Sequence, residues 1–273
     1  LRDTNGFLAE NFRGILLNSQ LVKNQMLQLA VGMKVFGVSK TQLIKVKLPL
    51  PPTITEQKAI ARVITDTDAL IQALEKKIAK KKLIKKGVIQ KLLEPKKGWI
   101  TKKLHEIAEI TGAGVNKKIH EMEYKVKLLN YMDVFKQDYL YQKIFNHVVT
   151  APISKHSSCN VLKGDVFLTP SSEMRKDIGV SALAMEDMEG IVYSYHVNRL
   201  RYAIDIDYKF GLYILKTRNF LNQVETLCEG SGKRYVLSLT KFKDLTITFP
   251  EDKHEQKRIS DILYSLDNEL EKL

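Results

Sequence analysis

One phrase occurs twice in this chain, and the interval between its copies constrains the possible folds more than any other feature. PPTITEQKAIARVI begins at Pro51 and PEDKHEQKRISDIL begins at Pro250, an offset of 199 residues (250 − 51). Because solenoid repeats span about 20 to 50 residues, this interval indicates a duplicated domain. The same offset, held without a gap, also matches Ile15 with Ile214, Lys34 with Lys233, Ser39 with Ser238, Thr41 with Thr240, Ile60 with Ile259 and Ile71 with Leu270.

The periodicity around each copy predicts a strand, a linker and a helix. TQLIKVKLPLPP and LTKFKDLTITFPED alternate apolar and polar residues and stop at proline, which predicts a strand and then a linker. Thr55 or its neighbour can cap a helix, and the heptad pattern that starts at Ile64 predicts that this helix continues to Glu94, with Pro95 and Gly98 beyond its end. We expect its apolar stripe to pack against another helix. The stripe consists of Ile64, Ile71, Leu74, Ile78, Val88 and Leu92, with Leu263 and Leu270 in the second copy.

Lysines are dense along the predicted long helix. Lys81 and Lys85 interrupt its apolar stripe, and we expect both to extend their ammonium groups towards solvent. A solvated helix surface accounts for most of the other lysines. Contact with a nucleic-acid backbone is the alternative, and it would add salt-dependent affinity without sequence information.

Between the two predicted helices, short strand-like runs alternate with helix-like ones. KVKLLNYM, GDVFLT and GIVYSYHVNRLRYAI predict strands, and YKFGLYILKTRNFLNQVETLC predicts one helix. The fold class is therefore α/β (α+β), with long coiled-coil-forming helices attached. We expect four segments: the C-terminal part of a first domain at 1–54, a long helix at 55–95, a complete domain at 96–250 and the start of a second long helix at 251–273.

The chain is strongly basic. Its formal net charge of +13 and pI near 9.5 favour a polyanionic partner such as nucleic acid or an anionic membrane surface, with a merely solvated lysine-rich surface as the alternative. Cys159 and Cys228 form no CxxC pair and the histidines have no metal spacing, so we expect a reducing compartment, no metal and no cofactor. The longest apolar stretch, at 26–38, is too short to span a bilayer, and we expect a cytoplasmic protein of a bacterium or archaeon.

The order of these features resembles the DNA-specificity subunit of type I restriction-modification systems. The matching motifs are P…EQ..I at the start of each helix, IQKLLEPKKGW at the end of the first, VLKGDVFLTPSS…IG within the domain and GSGKRYVLS before the last strand. The resemblance covers essentially the whole chain. The chain departs from the family pattern at its two ends, where most of a first recognition domain and most of a second helix are missing. It therefore looks truncated at both ends.

The resemblance implies a non-catalytic subunit whose target-recognition domains alternate with long helices. Such a subunit reads one half of a bipartite DNA sequence with each domain and spaces the domains with its paired helices. It docks methyltransferase subunits and a restriction subunit, which carry out methylation and ATP-driven cleavage. The stripe that lacks a partner helix here suggests self-association through the long helices.

Three polar stretches of the complete domain are candidates for DNA contact. Base readout requires hydrogen-bonding side chains on loops, flanked by phosphate contacts. TGAGVNKKIH and TPSSEMRKDIG supply hydrogen-bonding and charged side chains. EGSGKRY supplies backbone amides and cationic side chains, which together suit a phosphate group. The candidates are Asn116, Lys117 and Lys118; Ser171, Ser172, Glu173, Arg175 and Lys176; and Ser231, Gly232, Lys233, Arg234 and Tyr235. An ordinary polar surface loop is the alternative for each stretch.

Other functions fit the sequence less well. GSGK is not a phosphate-binding P-loop, because that pattern needs glycine at Leu227 and Ser or Thr at Arg234. PEDK lies in a linker whose other copy reads PPTI, which argues against a nuclease site. Tyr195 and His196 fall in a strand-like run and are expected more often in a core than at a groove. A coiled-coil adaptor that binds protein without reading DNA is the alternative function.

Overall fold

The computed structural model describes residues 3–272, so Leu1, Arg2 and Leu273 lie outside the described residues. The chain divides between Lys80 and Lys81 into two compact units. This division falls inside the long helix, which runs from Ile54 to Leu92. The predicted helix is therefore confirmed to within about two residues at each end.

The first unit contains three short helices and the beginning of the long one. A small core lies between them, formed by Ala9, Phe12, Leu16 and Ala61. Ser39 caps the third helix, its hydroxyl accepting a hydrogen bond from the backbone N–H of Gln42. The helices are α1 (Glu10–Asn18), α2 (Gln20–Leu29), α3 (Lys40–Leu43) and α4 (Ile54–Leu92).

Gln57, in the middle of the first Glu-Gln-Lys phrase, is buried and holds the start of α4. Its Oε1 accepts a hydrogen bond from the backbone N–H of Ala9 at 2.8 Å, and its Nε2 donates to the carbonyl of Pro51 at 3.3 Å. A buried side-chain amide must satisfy both its donor and its acceptor. Glutamine does so here by joining the linker to the preceding segment.

Gln256, at the same place in the second phrase, makes the corresponding contacts. Its Oε1 accepts from the backbone N–H of Asp207 at 3.0 Å, and its Nε2 donates to the carbonyl of Pro250 at 2.8 Å. Both glutamines are almost completely buried. The repeated phrase therefore specifies one local structure, in which a helix start is tied to its linker proline.

The second unit begins at Lys81, inside α4, and after the end of that helix its described residues form fourteen strands and seven α-helices. The strands are β1 (Ile100–Lys103), β2 (Ala108–Thr111), β3 (Tyr124–Leu129), β4 (Tyr139–Leu140), β5 (Val148–Ala151), β6 (Asn160–Val161), β7 (Val166–Leu168), β8 (Ser171–Ser172), β9 (Ser181–Ala184), β10 (Met188–Tyr193), β11 (Asn198–Tyr202), β12 (Glu229–Ser231), β13 (Arg234–Val236) and β14 (Thr246–Phe249). The helices are α5 (Leu104–Ile107), α6 (Tyr131–Lys136), α7 (Ile153–Ser158), α8 (Tyr208–Ile214), α9 (Arg218–Leu227), α10 (Leu239–Lys243) and α11 (Lys253–Glu271).

A five-stranded sheet, in the order β2-β11-β7-β9-β4, separates two hydrophobic cores. Val166 and Leu168 of β7 face one core, while Phe167 faces the other. Successive side chains of a strand point to opposite faces, so a strand buried on both faces must be apolar throughout. This accounts for the continuous apolar run VFL. A four-stranded sheet, β5-β3-β10-β6, covers the second core, and smaller sheets have the orders β12-β13-β8 and β1-β14.

The first core also takes in both long helices within the second unit. Ile89 and Leu93 at the end of α4 share it with Ile259 and Leu263 of α11. Val88 and Leu92 pack at its edge. This end of the stripe therefore shares one core with the second long helix and with residues of the domain between the two helices. Leu270 and Ile78 are half-buried, as is Ile64, whereas Ile71 and Leu74 are exposed.

Some secondary-structure predictions are wrong, among them the strand of the first copy and the single helix at 208–228. Residues 41–52 form no strand among those described, whereas Thr246–Phe249 of the second copy does, because it pairs with β1. The apolar pattern alone cannot supply the partner that a strand requires. The run at 208–228 forms α8 and α9, because the Thr217 hydroxyl caps a new helix by accepting from the backbone N–H of Phe220.

Candidate functional site

Members of all three predicted polar stretches line one surface cleft, which we name the three-loop cleft. Its volume is about 600 Å³. The three stretches are far apart in sequence, and the fold brings them together. The lining residues are Lys117, Tyr131, Met132, Phe135, Ser171, Ser172, Glu173, Met174, Asp177, His196, Lys233 and Arg234.

The third polar stretch lies on a hairpin formed by β12 and β13. Because β13 also pairs with β8, which belongs to the second polar stretch, the two stretches are held side by side. Tyr235 pairs with Ser172, and the guanidinium of Arg234 donates to the hydroxyl of Ser171 at 2.8 Å. Gly230 has a φ of +125°, and a Cβ there would collide with the carbonyl oxygen of Arg234. Only glycine fits this position, so the hairpin that places Lys233 beside the cleft depends on it.

The first stretch reaches the cleft from the end of β2. Val115 is buried and its backbone N–H donates to the carbonyl of Tyr193 at 2.8 Å, which fixes the loop to β10. Asn116 accepts the backbone N–H of Lys117 at 2.7 Å with its side-chain oxygen. Lys117 lines the cleft, whereas Asn116 and Lys118 are exposed beside it.

Two cations from different loops converge on His196. Partial burial lowers the pKa of His196, and the charges of Lys117 and Arg234 lower it further. The ring therefore favours its neutral form, which keeps one nitrogen as a donor and one as an acceptor. With Ser172 and Glu173, the cleft offers both hydrogen-bond donors and acceptors next to positive charge.

Arg175 and Lys176 lie outside the lining of the three-loop cleft. The Arg175 guanidinium donates to the carbonyl of Glu225 at 3.1 Å and lies 4.8 Å from the centre of the Tyr235 ring. Tyr235 is half-buried against the first core. These contacts favour a supporting role for Arg175, in which it holds the hairpin against the end of α9. Ser231 and Gly232 form the exposed end of that hairpin.

One wall of the cleft consists of residues that the sequence pattern does not predict as part of a site. Tyr131, Met132 and Phe135 belong to α6, which follows β3, whereas KVKLLNYM was expected to be a strand throughout. The backbone N–H of Asn130 donates to the carboxylate of Asp133 at 2.8 Å, which marks the start of this helix. The spacing Asn-Tyr-Met-Asp is the sequence signal that identifies it.

Tyr195 and His196 are expected, from the sequence, in a strand whose side chains pack in the core. They lie in the loop between β10 and β11, where Tyr195 is 48% exposed and His196 lines the cleft. A core position is therefore wrong for both. Their rings are 3.9 Å apart between centroids, so Tyr195 packs against the histidine that lines the cleft.

A network of buried charges and hydroxyls lies away from the cleft, and we name it the polar hub. The Lys85 ammonium pairs with Asp138 at 3.0 Å and with Asp267 of α11. The hydroxyls of Tyr139 and Tyr213 donate to Asp267 at 2.5 and 2.6 Å. The expectation that Lys85 extends towards solvent is wrong, because these carboxylates retain it. Lys81 likewise pairs with Glu269, at 3.0 Å.

Charge pairing outweighs burial at Asp138 in this hub. Burial alone raises the pKa of Asp138, but the neighbouring Lys216 and Lys85 ammonium groups lower it to about 2. Burial lowers the pKa of Lys216, and the attraction of Asp138 opposes that effect. Lys85 keeps a raised pKa, since Asp138 and Asp267 overcome the effect of its burial. Asp138 and Lys85 are therefore both charged at neutral pH.

Two kinds of site are not found in the described part of the chain. Residues 3–272 contain no group of three or more His, Cys, Asp or Glu side chains that could hold a metal ion. Within the same residues, no helix is both long and apolar enough to cross a membrane.

Comparison with known proteins identifies the family. The model of the type I restriction modification DNA specificity domain matches residues 6–83 and 96–272. The chain belongs to this family. Its relatives are specificity subunits, which are non-catalytic, and the resemblance inferred from the motifs is confirmed.

Members of this family with known sequences or structures cover nearly the whole chain. The specificity subunit of the type I restriction enzyme MjaVIII of Methanocaldococcus jannaschii is 27% identical over 95% of this chain and 63% of its own length. The chain thus spans less than two thirds of that curated relative.

Two solved structures share the fold. A chain from work on complex assembly and conformational transition of the type I R-M system has a TM-score of 0.66 and 15% identity, covering 100% of this chain and 67% of its own. The type I S subunit from M. genitalium has a TM-score of 0.57 and 16% identity, covering 97% of this chain and 68% of its own. The mixed α/β fold with a long helix is thereby confirmed.

Proposed function

We propose that this chain binds double-stranded DNA and reads one half of a bipartite target without catalysing a reaction itself. The segment at 96–250 acts as the target-recognition domain. The segment at 1–54 is part of a similar domain, and those at 55–95 and 251–273 belong to the spacer helices. Methyltransferase subunits and a restriction subunit in the cytoplasm supply the chemistry.

Convergence of three polar stretches on one cleft carries this proposal. Lys117, Lys233 and Arg234 come from two separate loops and border the cleft, where they suit phosphate oxygens. Ser172 and Glu173 lie between them and suit the hydrogen-bonding edges of bases, since a carboxylate accepts from the cytosine N4 amino group. An enzyme site would instead require a nucleophile or a cluster of metal ligands.

Selection from a randomised duplex library tests the proposal. The full chain is incubated with the methyltransferase subunit of its own system, and retained duplexes are sequenced at increasing salt. We expect one short motif to be enriched and to be lost as salt rises, because phosphate contacts release counterions. Salt-sensitive retention without a motif would refute sequence recognition. Absence of retention would favour the coiled-coil adaptor.

Exposed apolar side chains on α4 favour helix pairing as a second activity. Leu70, Ile71 and Leu74 are 60%, 49% and 39% exposed in the first unit. A helix that keeps an apolar stripe in water gains stability by burying it against another helix. We infer that these residues contact a partner helix on a second copy of this chain, with a helix of a methyltransferase subunit as the alternative.

Sedimentation distinguishes these partners. The full chain is expected to form dimers at micromolar concentration, and the triple substitution of Leu70, Ile71 and Leu74 by glutamine is expected to return it to monomers. The matched control replaces the exposed lysines Lys76, Lys77 and Lys80 by glutamine and should leave the dimer intact. A purely monomeric wild-type chain would leave the methyltransferase subunit as the partner and would contradict self-association.

A further inference from the structure

One wall of the three-loop cleft is apolar although it lies in water. Met132, Phe135 and Met174 line it and are 47%, 37% and 49% exposed. We name these three side chains the apolar lip. Apolar side chains left exposed within a cleft mark a surface that another molecule covers.

Two separate elements build this lip. Met132 and Phe135 are three residues apart on α6 and so lie on the same face of that helix. The Phe135 ring stacks on Tyr131 with their centroids 5.8 Å apart and the planes 14° from parallel. Met174 follows β8, the strand to which the hairpin is paired. The lip is thus held on the same framework as the predicted base-reading loop.

The positive charge around the lip indicates what kind of molecule covers it. Lys117, Lys233 and Arg234 border the same cleft. The charges of Lys117 and Arg234 are close enough to His196 to lower its pKa. A polyanion with an apolar group at its surface satisfies both the cations and the lip. In the major groove of DNA, the only apolar group on a base edge is the C5-methyl of thymine.

We propose that the apolar lip contacts thymine methyl groups in the major groove, so that the half-site read by this domain contains thymine opposite α6. This inference rests on the proposed function of the cleft. It adds a specificity determinant that hydrogen bonding does not provide. Met132 and Phe135 are the residues that distinguish thymine from cytosine at those positions.

Removal of the methyl group from the DNA tests the inference without changing the protein. Duplexes that carry the selected motif are made with deoxyuridine in place of each thymidine in turn, and in place of flanking thymidines as a control. Uracil keeps every hydrogen-bonding group of thymine and lacks only the methyl. We expect about fourfold weaker binding for each contacted methyl that is removed. Flanking replacements should have no effect.

Substitutions in the protein assign the effect to the lip. The triple substitution Met132→Ala, Phe135→Ala and Met174→Ala should bind the thymine and uracil duplexes equally, because no side chain of the lip remains to contact the methyl group. Met122 is 96% exposed and does not line the cleft, so Met122→Ala is the matched control and should keep the preference. Near-ultraviolet and far-ultraviolet circular dichroism checks that each variant is folded.

Each outcome separates this inference from the proposed function. A motif that lacks thymine, or one bound equally well with uracil, would overturn the methyl contact and leave DNA recognition standing. No motif from any library would overturn both. Loss of methyltransferase-subunit binding in the lip variant, with the thymine preference retained, would assign the lip to a protein partner and overturn the inference.

Discussion

Replacing Asp267 by alanine is expected to destabilise the second unit by about 3 kcal/mol, the low end of the cost of breaking a buried ion pair. The Asp267 side chain is 5% exposed and Lys85 is 16% exposed, so neither charge is well solvated. Removal of the carboxylate also deprives the hydroxyls of Tyr139 and Tyr213 of their acceptor. Lys85 keeps Asp138 as a partner, which is why the low end applies.

The neighbouring pair provides a matched control. Lys81 and Glu269 also join α4 to α11, at a similar distance of 3.0 Å, but their side chains are 33% and 57% exposed. Glu269→Ala is expected to cost less than about 1 kcal/mol, because water already solvates this pair. Burial, not the number of ion pairs, therefore decides the difference between the two variants.

Urea unfolding followed by tryptophan fluorescence measures both effects. The chain has a single tryptophan, Trp99, which packs at the edge of the first core and so reports on the second unit. Asp267→Asn separates the two contributions, since an amide oxygen still accepts from the tyrosines but carries no charge. Equal midpoints for Asp267→Ala and Glu269→Ala would contradict a structural role for the polar hub.

The sequence predicts the parts of this protein that depend on local pattern. The long helix follows from its heptads and from the prolines that flank it, because both act within a few residues. The three polar stretches follow from glycines and clustered polar side chains between apolar runs. The family follows from the repeated phrase, whose glutamines make the same contacts in both copies.

What the sequence does not predict depends on distant partners. Lys85 interrupts an apolar stripe, and only the fold shows that Asp138 and Asp267 retain it there. The strand expected in the first copy fails for the same reason, since pairing and not alternation stabilises a strand. The cleft itself is assembled from loops that follow β2, β8 and β12, and sheet order cannot be deduced from spacing.

The second large effect is expected on DNA binding. Lys117, Lys233 and Arg234 together should contribute about 2.7 to the slope of log affinity against log salt, at about 0.9 for each phosphate neutralised. Their combined replacement by alanine is expected to weaken binding on the order of a hundredfold at low salt and to flatten this slope. Titration of the selected duplex at several salt concentrations measures both quantities.

A control with the same net charge distinguishes the cleft from the general basicity of the chain. Lys97, Lys102 and Lys243 are exposed, and none of them lines the cleft. Their joint replacement by alanine lowers the net charge of +13 by the same three units. If long-range attraction alone drove binding, both triple variants would lose the same affinity and the same slope. Loss confined to the cleft variant would mean that phosphates sit at Lys117, Lys233 and Arg234, because direct contacts act within hydrogen-bonding distance whereas net charge acts over the Debye length.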